Sequence, residues 1–85
     1  MLYVGHFSLP PKTAVEINRY SLTRHRDHIV YTYPVEGHPH TYVVAVYSDG
    51  YFRATGPDIL YMFDMVDAIA NALGTDVDEA KCYAL

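Results

Sequence analysis

The stretch that decides the fold of this 85-residue chain is Thr41-Tyr-Val-Val-Ala-Val-Tyr-Ser-Asp-Gly-Tyr-Phe-Arg-Ala-Thr55. Its first half is rich in β-branched and aromatic residues, which is typical of a strand. Asp49-Gly50 is the dipeptide that a two-residue type I′ hairpin turn favours. This turn predicts a hairpin of 41–48 with 51–55. The predicted register pairs Ser48 with Tyr51, Tyr47 with Phe52, Val46 with Arg53 and Ala45 with Ala54.

Both faces of this predicted hairpin carry apolar side chains. One face holds Val43, Ala45, Tyr47, Phe52 and Ala54, and the other holds Tyr42, Val44, Val46, Tyr51, Arg53 and Thr55. A single helix covers only one face of a small sheet. We therefore expect the other face to be left for a second element or for a partner.

Three further strands are predicted before the hairpin. Residues 2–8 form a short aromatic strand that Pro10 and Pro11 bring to an end. The alternation of 29–35 is that of a strand, and the alternation in 13–23 favours β structure, although a short helix after Pro11 also fits. The polar residues 24–28 and 36–40 separate these segments as loops.

One helix follows the hairpin, from Pro57 to about Leu73. Gly56 or Thr55 is the expected N-cap, and Gly74 is the expected stop. The apolar stripe predicted to face the sheet consists of Ile59, Met62, Phe63, Val66, Ile69, Ala70 and Leu73. The residues predicted to point away are Leu60, Tyr61, Asp64, Asp67, Ala68 and Asn71.

These segments predict a single domain, 1–85, of the α+β class. The expected architecture is an antiparallel sheet of four to five strands with one main C-terminal helix packed on one face. The tail after Gly74 fits a helical turn or a last strand equally well, and its pattern leaves both open.

Composition excludes several classes of protein. Cys82 is the single cysteine, so a disulfide scaffold, a CxxC redox pair and a thiolate zinc site are excluded. No run approaches the roughly 20 apolar residues that span a bilayer, and the first ten residues lack the features of a signal peptide. We expect a soluble, cytoplasmic protein that does not associate with membranes.

The charge is concentrated in the last third of the chain. Residues 1–53 carry five cations and four carboxylates, whereas residues 54–85 carry Lys81 alone against six carboxylates, a net charge of −5. A field of this sign repels phosphate backbones and attracts basic partners, although such a segment is often only a solvated surface.

The motifs of catalysis and metal binding are absent from the sequence. It has no phosphate-binding glycine loop, no HExxH and no nucleophile elbow, so we predict no enzyme, no catalytic residue and no cofactor. His38 and His40 have HxH spacing and would need His25, His28 or Glu36 to complete a metal site. Solvated loop histidines are the preferred interpretation, and no metal is predicted.

Aromatic residues offer an alternative. Tyr42, Tyr51 and Arg53 share one face of the predicted hairpin, which could stack on RNA bases if Arg19, Arg24 and Arg26 lay nearby. The negative net charge and the missing RNP motifs argue against direct nucleic-acid binding. A small RNA- or metal-binding module is therefore the second hypothesis.

The favoured hypothesis is a non-enzymatic protein-binding module. Its size, its acidity and the lack of catalytic motifs suggest a small phage or mobile-element inhibitor, acting as anti-CRISPR proteins do on a host complex with a basic, nucleic-acid-binding surface. A homodimer through the uncovered sheet face or an edge strand is a secondary expectation. The predicted contact residues are Asp58, Leu60, Tyr61, Asp64, Asp67, Asn71, Asp76, Asp78 and Glu79.

Overall fold

The hairpin 41–55 occupies the middle of the sheet. In the computed structural model, which describes residues 1–11, 14–34 and 41–85, it consists of β4 (Thr41–Tyr47) and β5 (Tyr51–Thr55). The other strands are β1 (Leu2–His6), β2 (Ser21–Arg24), β3 (His28–Pro34) and β6 (Tyr83–Ala84). They form one antiparallel sheet in the order β2-β3-β4-β5-β1-β6.

A single helix, α1 (Ile59–Ala72), packs on one face of this sheet. The α+β prediction is confirmed, with six strands rather than four to five. The sixth strand comes from the tail that the sequence left open. After Gly74 the chain forms a 3₁₀ turn, Glu79–Lys81, and then β6 beside β1.

The predicted hairpin register is wrong by one residue. The structure pairs Val46 with Phe52, not with Arg53, because the loop has three residues and not two. A type I′ turn needs a positive φ at both Asp49 and Gly50. No residue other than glycine has a positive φ in the described chain, and in this loop only Gly50 has one, at 93°. The Asp49 carboxylate instead accepts a hydrogen bond from the Tyr51 N–H at 3.0 Å.

This shift changes which side chains of β4 share a face with those of β5. A slip of one residue moves every side chain of a strand to the other side of the sheet. The helix-covered face holds Tyr42, Val44, Val46, Phe52 and Ala54, all of them buried. The open face holds Val43, Ala45, Tyr47, Tyr51, Arg53 and Thr55. The hairpin therefore has one core face and one open face.

The strand predicted over 13–23 is much shorter in the structure. Only Ser21–Arg24 forms a strand, and the described residues before it include a turn in which the Tyr20 N–H donates to the Ile17 carbonyl at 3.0 Å. A hydrogen bond of 2.6 Å from the buried Tyr31 hydroxyl to the Val15 carbonyl fixes this segment over the sheet. The tertiary contact decides its conformation, although its side chains alternate as in a strand.

The helix begins later than predicted. Asp58, and not Gly56 or Thr55, is the N-cap, and its carboxylate accepts from the Leu60 N–H at 3.0 Å. The C-terminal end agrees with the prediction, since Gly74 follows with a φ of 75°. Five helix residues are fully buried against the sheet: Met62, Met65, Val66, Ile69 and Ala70.

Candidate functional site

The outer surface of α1 presents a stripe of side chains over successive turns. It consists of Leu60, Phe63, Asp64, Asp67 and Asn71, which follow the spacing of neighbours on a helix. Leu60 is 68% exposed and Phe63 is 37% exposed. We call these five residues the outer stripe. It combines two apolar groups with two carboxylates.

Phe63 replaces Tyr61 as the aromatic residue of this surface. We predicted Tyr61 on the outside and Phe63 in the core, but Tyr61 leans over the sheet, with ring centroids 4.4 Å from Tyr42 and 5.4 Å from Tyr33. Burial raises the pKa of the Tyr61 hydroxyl to about 12, helped by the nearby Tyr20 and Tyr33. Phe63 lies at the edge of the core, whereas Met65, which the predicted stripe omitted, is buried.

Three of the predicted carboxylates lie together. The pKa of Asp67 is raised, first by partial burial and then by the negative charges of Asp64 and Glu79. Glu79 belongs to the C-terminal 3₁₀ turn, so the tail brings a third carboxylate to the outer stripe. Within the described residues, no cation lies within ion-pair distance of any of these three. Their mutual repulsion is therefore not neutralised.

The other predicted contact residues are placed differently. Asp58 caps the helix, nine residues and about 14 Å along the axis from Asp67. The Asp78 carboxylate lies 3.9 Å from the Lys81 ammonium, and its carbonyl accepts from the Cys82 thiol at 3.1 Å. Asp76 is exposed, and its carbonyl accepts from the Ser8 N–H at 2.7 Å. These three residues have structural roles in addition to their charge.

The open sheet face has a second feature, a row of aromatic rings across one end. His25 stacks on His28 at 4.5 Å, His28 on Tyr47 at 4.8 Å, and Tyr47 meets Tyr51 at 5.5 Å. Tyr51 then meets His6 at 5.5 Å, which completes the row over neighbouring strands. We call these five residues the aromatic row.

The predicted RNA platform is divided between the two faces. Tyr51 and Arg53 lie on the open face, while Tyr42 is 5% exposed beneath the helix. The sequence analysis missed the aromatic row because the assumed register placed Tyr47 on the opposite face from Tyr51. Both faces of the His28 ring are covered by neighbours, so its stacking surface is already used.

The histidines give no metal centre in the described part of the chain. No group of three or more histidine, cysteine or acidic side chains there is arranged to hold a metal ion. The Nδ1–H of His28 donates to the Asp27 carboxylate at 2.7 Å, and this hydrogen bond lowers the pKa of Asp27. His38, His40 and Glu36 lie outside the described residues.

Comparisons with protein-family models, with curated proteins and with solved structures gave no significant match. No helix in the described ranges is long and apolar enough to cross a membrane.

Proposed function

We propose that this protein is a non-enzymatic protein-binding module that occupies a basic surface of a nucleic-acid-handling partner. The observation that carries the proposal is the set of three carboxylates, Asp64, Asp67 and Glu79, which lie together beside the exposed Leu60 and Phe63. Among the residues that the structure describes, no cation forms an ion pair with any of the three. An apolar centre with a charged rim is the usual composition of a protein interface.

The charge distribution supports a basic partner. Residues 54–85 carry six carboxylates and one lysine, so this part of the molecule presents negative charge much as a phosphate backbone does. Like-charged carboxylates disfavour one another in the free protein, and lysines or arginines of a partner would relieve that repulsion. Within this class we propose a cytoplasmic inhibitor of the anti-CRISPR type, encoded by a phage or a mobile element.

The test is binding to a captured partner. The tagged protein is used to isolate proteins from nuclease-treated lysate of the source cell, and the captured protein is purified for calorimetry. We expect Asp64→Lys/Asp67→Lys to weaken binding at least about tenfold, because it places like charges against a basic surface. The matched control, Glu16→Lys/Asp27→Lys, makes the same change in net charge at exposed positions elsewhere and should bind as the wild type does.

Equal affinities of the two charge-reversed variants would overturn the proposal. An affinity that is independent of salt between 50 and 300 mM would do the same, because the attraction between exposed charges weakens as salt shortens the Debye length.

The aromatic row supports a second candidate, which is binding of single-stranded nucleic acid on the open sheet face. Arg53 is exposed on the same face as Tyr51 and could contact a phosphate. Within the row, however, His25, His28 and Tyr47 stack on one another, which leaves fewer ring faces for bases. Protein binding is therefore the first proposal.

A further inference from the structure

A groove lies between the outer stripe of α1 and the C-terminal segment. Two aromatic side chains line it: Tyr3 from β1 and Phe63 from α1. Asp67 and Glu79 also line it, one from the helix and one from the 3₁₀ turn. The groove thus joins aromatic surface to two carboxylates from different elements.

The lining apart from these two carboxylates carries no charge. Tyr3 and Phe63 meet edge to face with centroids 4.8 Å apart, and Phe63 is 37% exposed. Tyr83 also borders the groove, but it pairs with Val4, so its side chain points to the open face of the sheet. Burial, and then contact with Cys82, raises the pKa of the Tyr3 hydroxyl well above its usual range, so it stays neutral. The Cys82 thiol already donates to the Asp78 carbonyl. None of these groups competes with the carboxylates for a ligand.

The two carboxylates are close enough to affect each other. The charge of Glu79 contributes to the raised pKa of Asp67. Lys81 is the nearest cation in sequence, and its ammonium lies 3.9 Å from Asp78 rather than against either of them. A cation that entered the groove would therefore meet two carboxylates and an aromatic surface.

We propose that this groove receives an arginine side chain of the protein partner. The inference rests on the proposed function and specifies the contact that would dominate it. A guanidinium group is planar, stacks on aromatic rings and binds carboxylates through two parallel hydrogen bonds, whereas a lysine ammonium is a strongly hydrated point charge. Aromatic lining and carboxylates together match the guanidinium better than the ammonium.

The test uses small probes and the intact protein. The ¹⁵N-labelled protein is titrated with N-acetylarginine methylamide, with the lysine analogue and with the neutral citrulline analogue. We expect saturable shifts at the amides of Asp67, Cys82 and Tyr83, with a Kd of about 1 to 10 mM for arginine. Lysine should bind at least roughly threefold more weakly, and citrulline should cause no saturable shift.

Variants then locate the site. Asp67→Asn/Glu79→Gln should weaken arginine binding at least about tenfold, because both charge-assisted contacts are lost. Glu16→Gln/Asp27→Asn removes the same charge outside the groove and should leave the Kd unchanged. A well-dispersed spectrum of each variant shows that it is folded.

Three results would overturn the assignment: citrulline shifting the same amides as strongly, lysine binding as tightly as arginine, or an unchanged Kd in the groove variant. The proposed function fails separately. If arginine leaves the groove amides unshifted while Asp64→Lys/Asp67→Lys still loses its partner, only the arginine site is wrong. If arginine binds but that variant keeps its partner, the proposed function is wrong.

Discussion

Phe63 on the helix meets Tyr3 on β1 edge to face, with ring centroids 4.8 Å apart and planes at 78°. Tyr3 in turn contacts the fully buried Phe52 at 5.2 Å. The partly exposed ring of Phe63 is thereby packed against the core, and this contact restricts its rotamers before any partner binds. A fixed aromatic side chain binds with little loss of conformational entropy, which is a common property of interface hot spots.

Phe63→Ala should weaken partner binding at least about tenfold. It should also lower the free energy of unfolding by about 1 kcal/mol or more, since an edge-to-face pair contributes in addition to buried area. Calorimetry against the partner and urea unfolding measure the two effects. Phe63→Leu is the control for apolar volume and should recover most of the stability. Full partner affinity in Phe63→Ala would contradict the role of this ring.

Asp67→Asn should stabilise the fold near neutral pH by about 0.2–0.5 kcal/mol, because it removes repulsion between like charges on the helix. The raised pKa of Asp67 means that the folded state holds its proton more tightly than the unfolded state does. The stability that this proton contributes is present below the unfolded value of 3.8 and is lost as the pH rises through the folded value.

The difference between Asp67→Asn and the wild type should therefore shrink as the pH falls toward 3.8, and also in 1 M salt. Thermal unfolding over this pH range measures it. A difference that grows on acidification would mean that Asp67 has a favourable partner in the fold.

Asp58→Ala should destabilise the protein by about 1 kcal/mol, because the Leu60 N–H at the start of α1 loses its acceptor. Asp58→Ser keeps an N-cap acceptor and should restore most of this stability. Urea unfolding of both variants separates capping from charge. Equal stability of the alanine and serine variants would show that the cap is unimportant.

Gly5→Ala should destabilise the fold by about 1–3 kcal/mol through overpacking. A Cβ at this position would overlap the Cys82 sulfur and come within 2.9 Å of the Phe52 ring. Adding Cys82→Ala removes the sulfur and should recover part of the loss, with Cys82→Ala alone as the reference. Chemical unfolding of the three variants measures the coupling, and purely additive effects would show that the two residues do not clash.

The protein should not bind oligo(U) or oligo(dT) with a Kd below about 100 μM at 150 mM salt, because its net charge is negative and His25, His28 and Tyr47 of the row already stack on one another. Fluorescence anisotropy with a labelled 12-mer measures this. Micromolar binding that disappears in Tyr51→Ala/Arg53→Ala would support the open sheet face instead.

The sequence predicts the strands and the helix well where local signals are strong. The β-branched run of 42–47 and the glycine that follows the helix specify their elements without help from the rest of the chain. The hairpin register was wrong because Asp49-Gly50 also suits a three-residue loop, in which glycine alone takes a positive φ. Because of this error in register, the aromatic row was not predicted, and Tyr42 was assigned to the same face as Tyr51.

The sequence places the carboxylates in the chain but does not decide which aromatic residues of the helix are exposed. Charge counts locate the carboxylates, but helical periodicity alone cannot decide which residues at the border of a stripe are buried. Met65, on one border of the stripe, is buried, and Phe63, on the other, is partly exposed. The groove needs the 3₁₀ turn and β6 beside β1, and their pairing depends on tertiary contacts that the tail sequence does not specify.

The most direct test of the central claim is competition at the partner. The partner is loaded with a fluorescent oligonucleotide that it binds, and this protein is added at increasing concentration while anisotropy is read. If the acidic surface occupies the basic nucleic-acid site, this protein displaces the oligonucleotide. A higher oligonucleotide concentration then raises the apparent Kd of this protein for the partner. Asp64→Lys/Asp67→Lys should displace at least about tenfold less effectively than the Glu16→Lys/Asp27→Lys control. A ternary complex, in which the partner holds the oligonucleotide and this protein at once with unchanged affinities, would contradict the account.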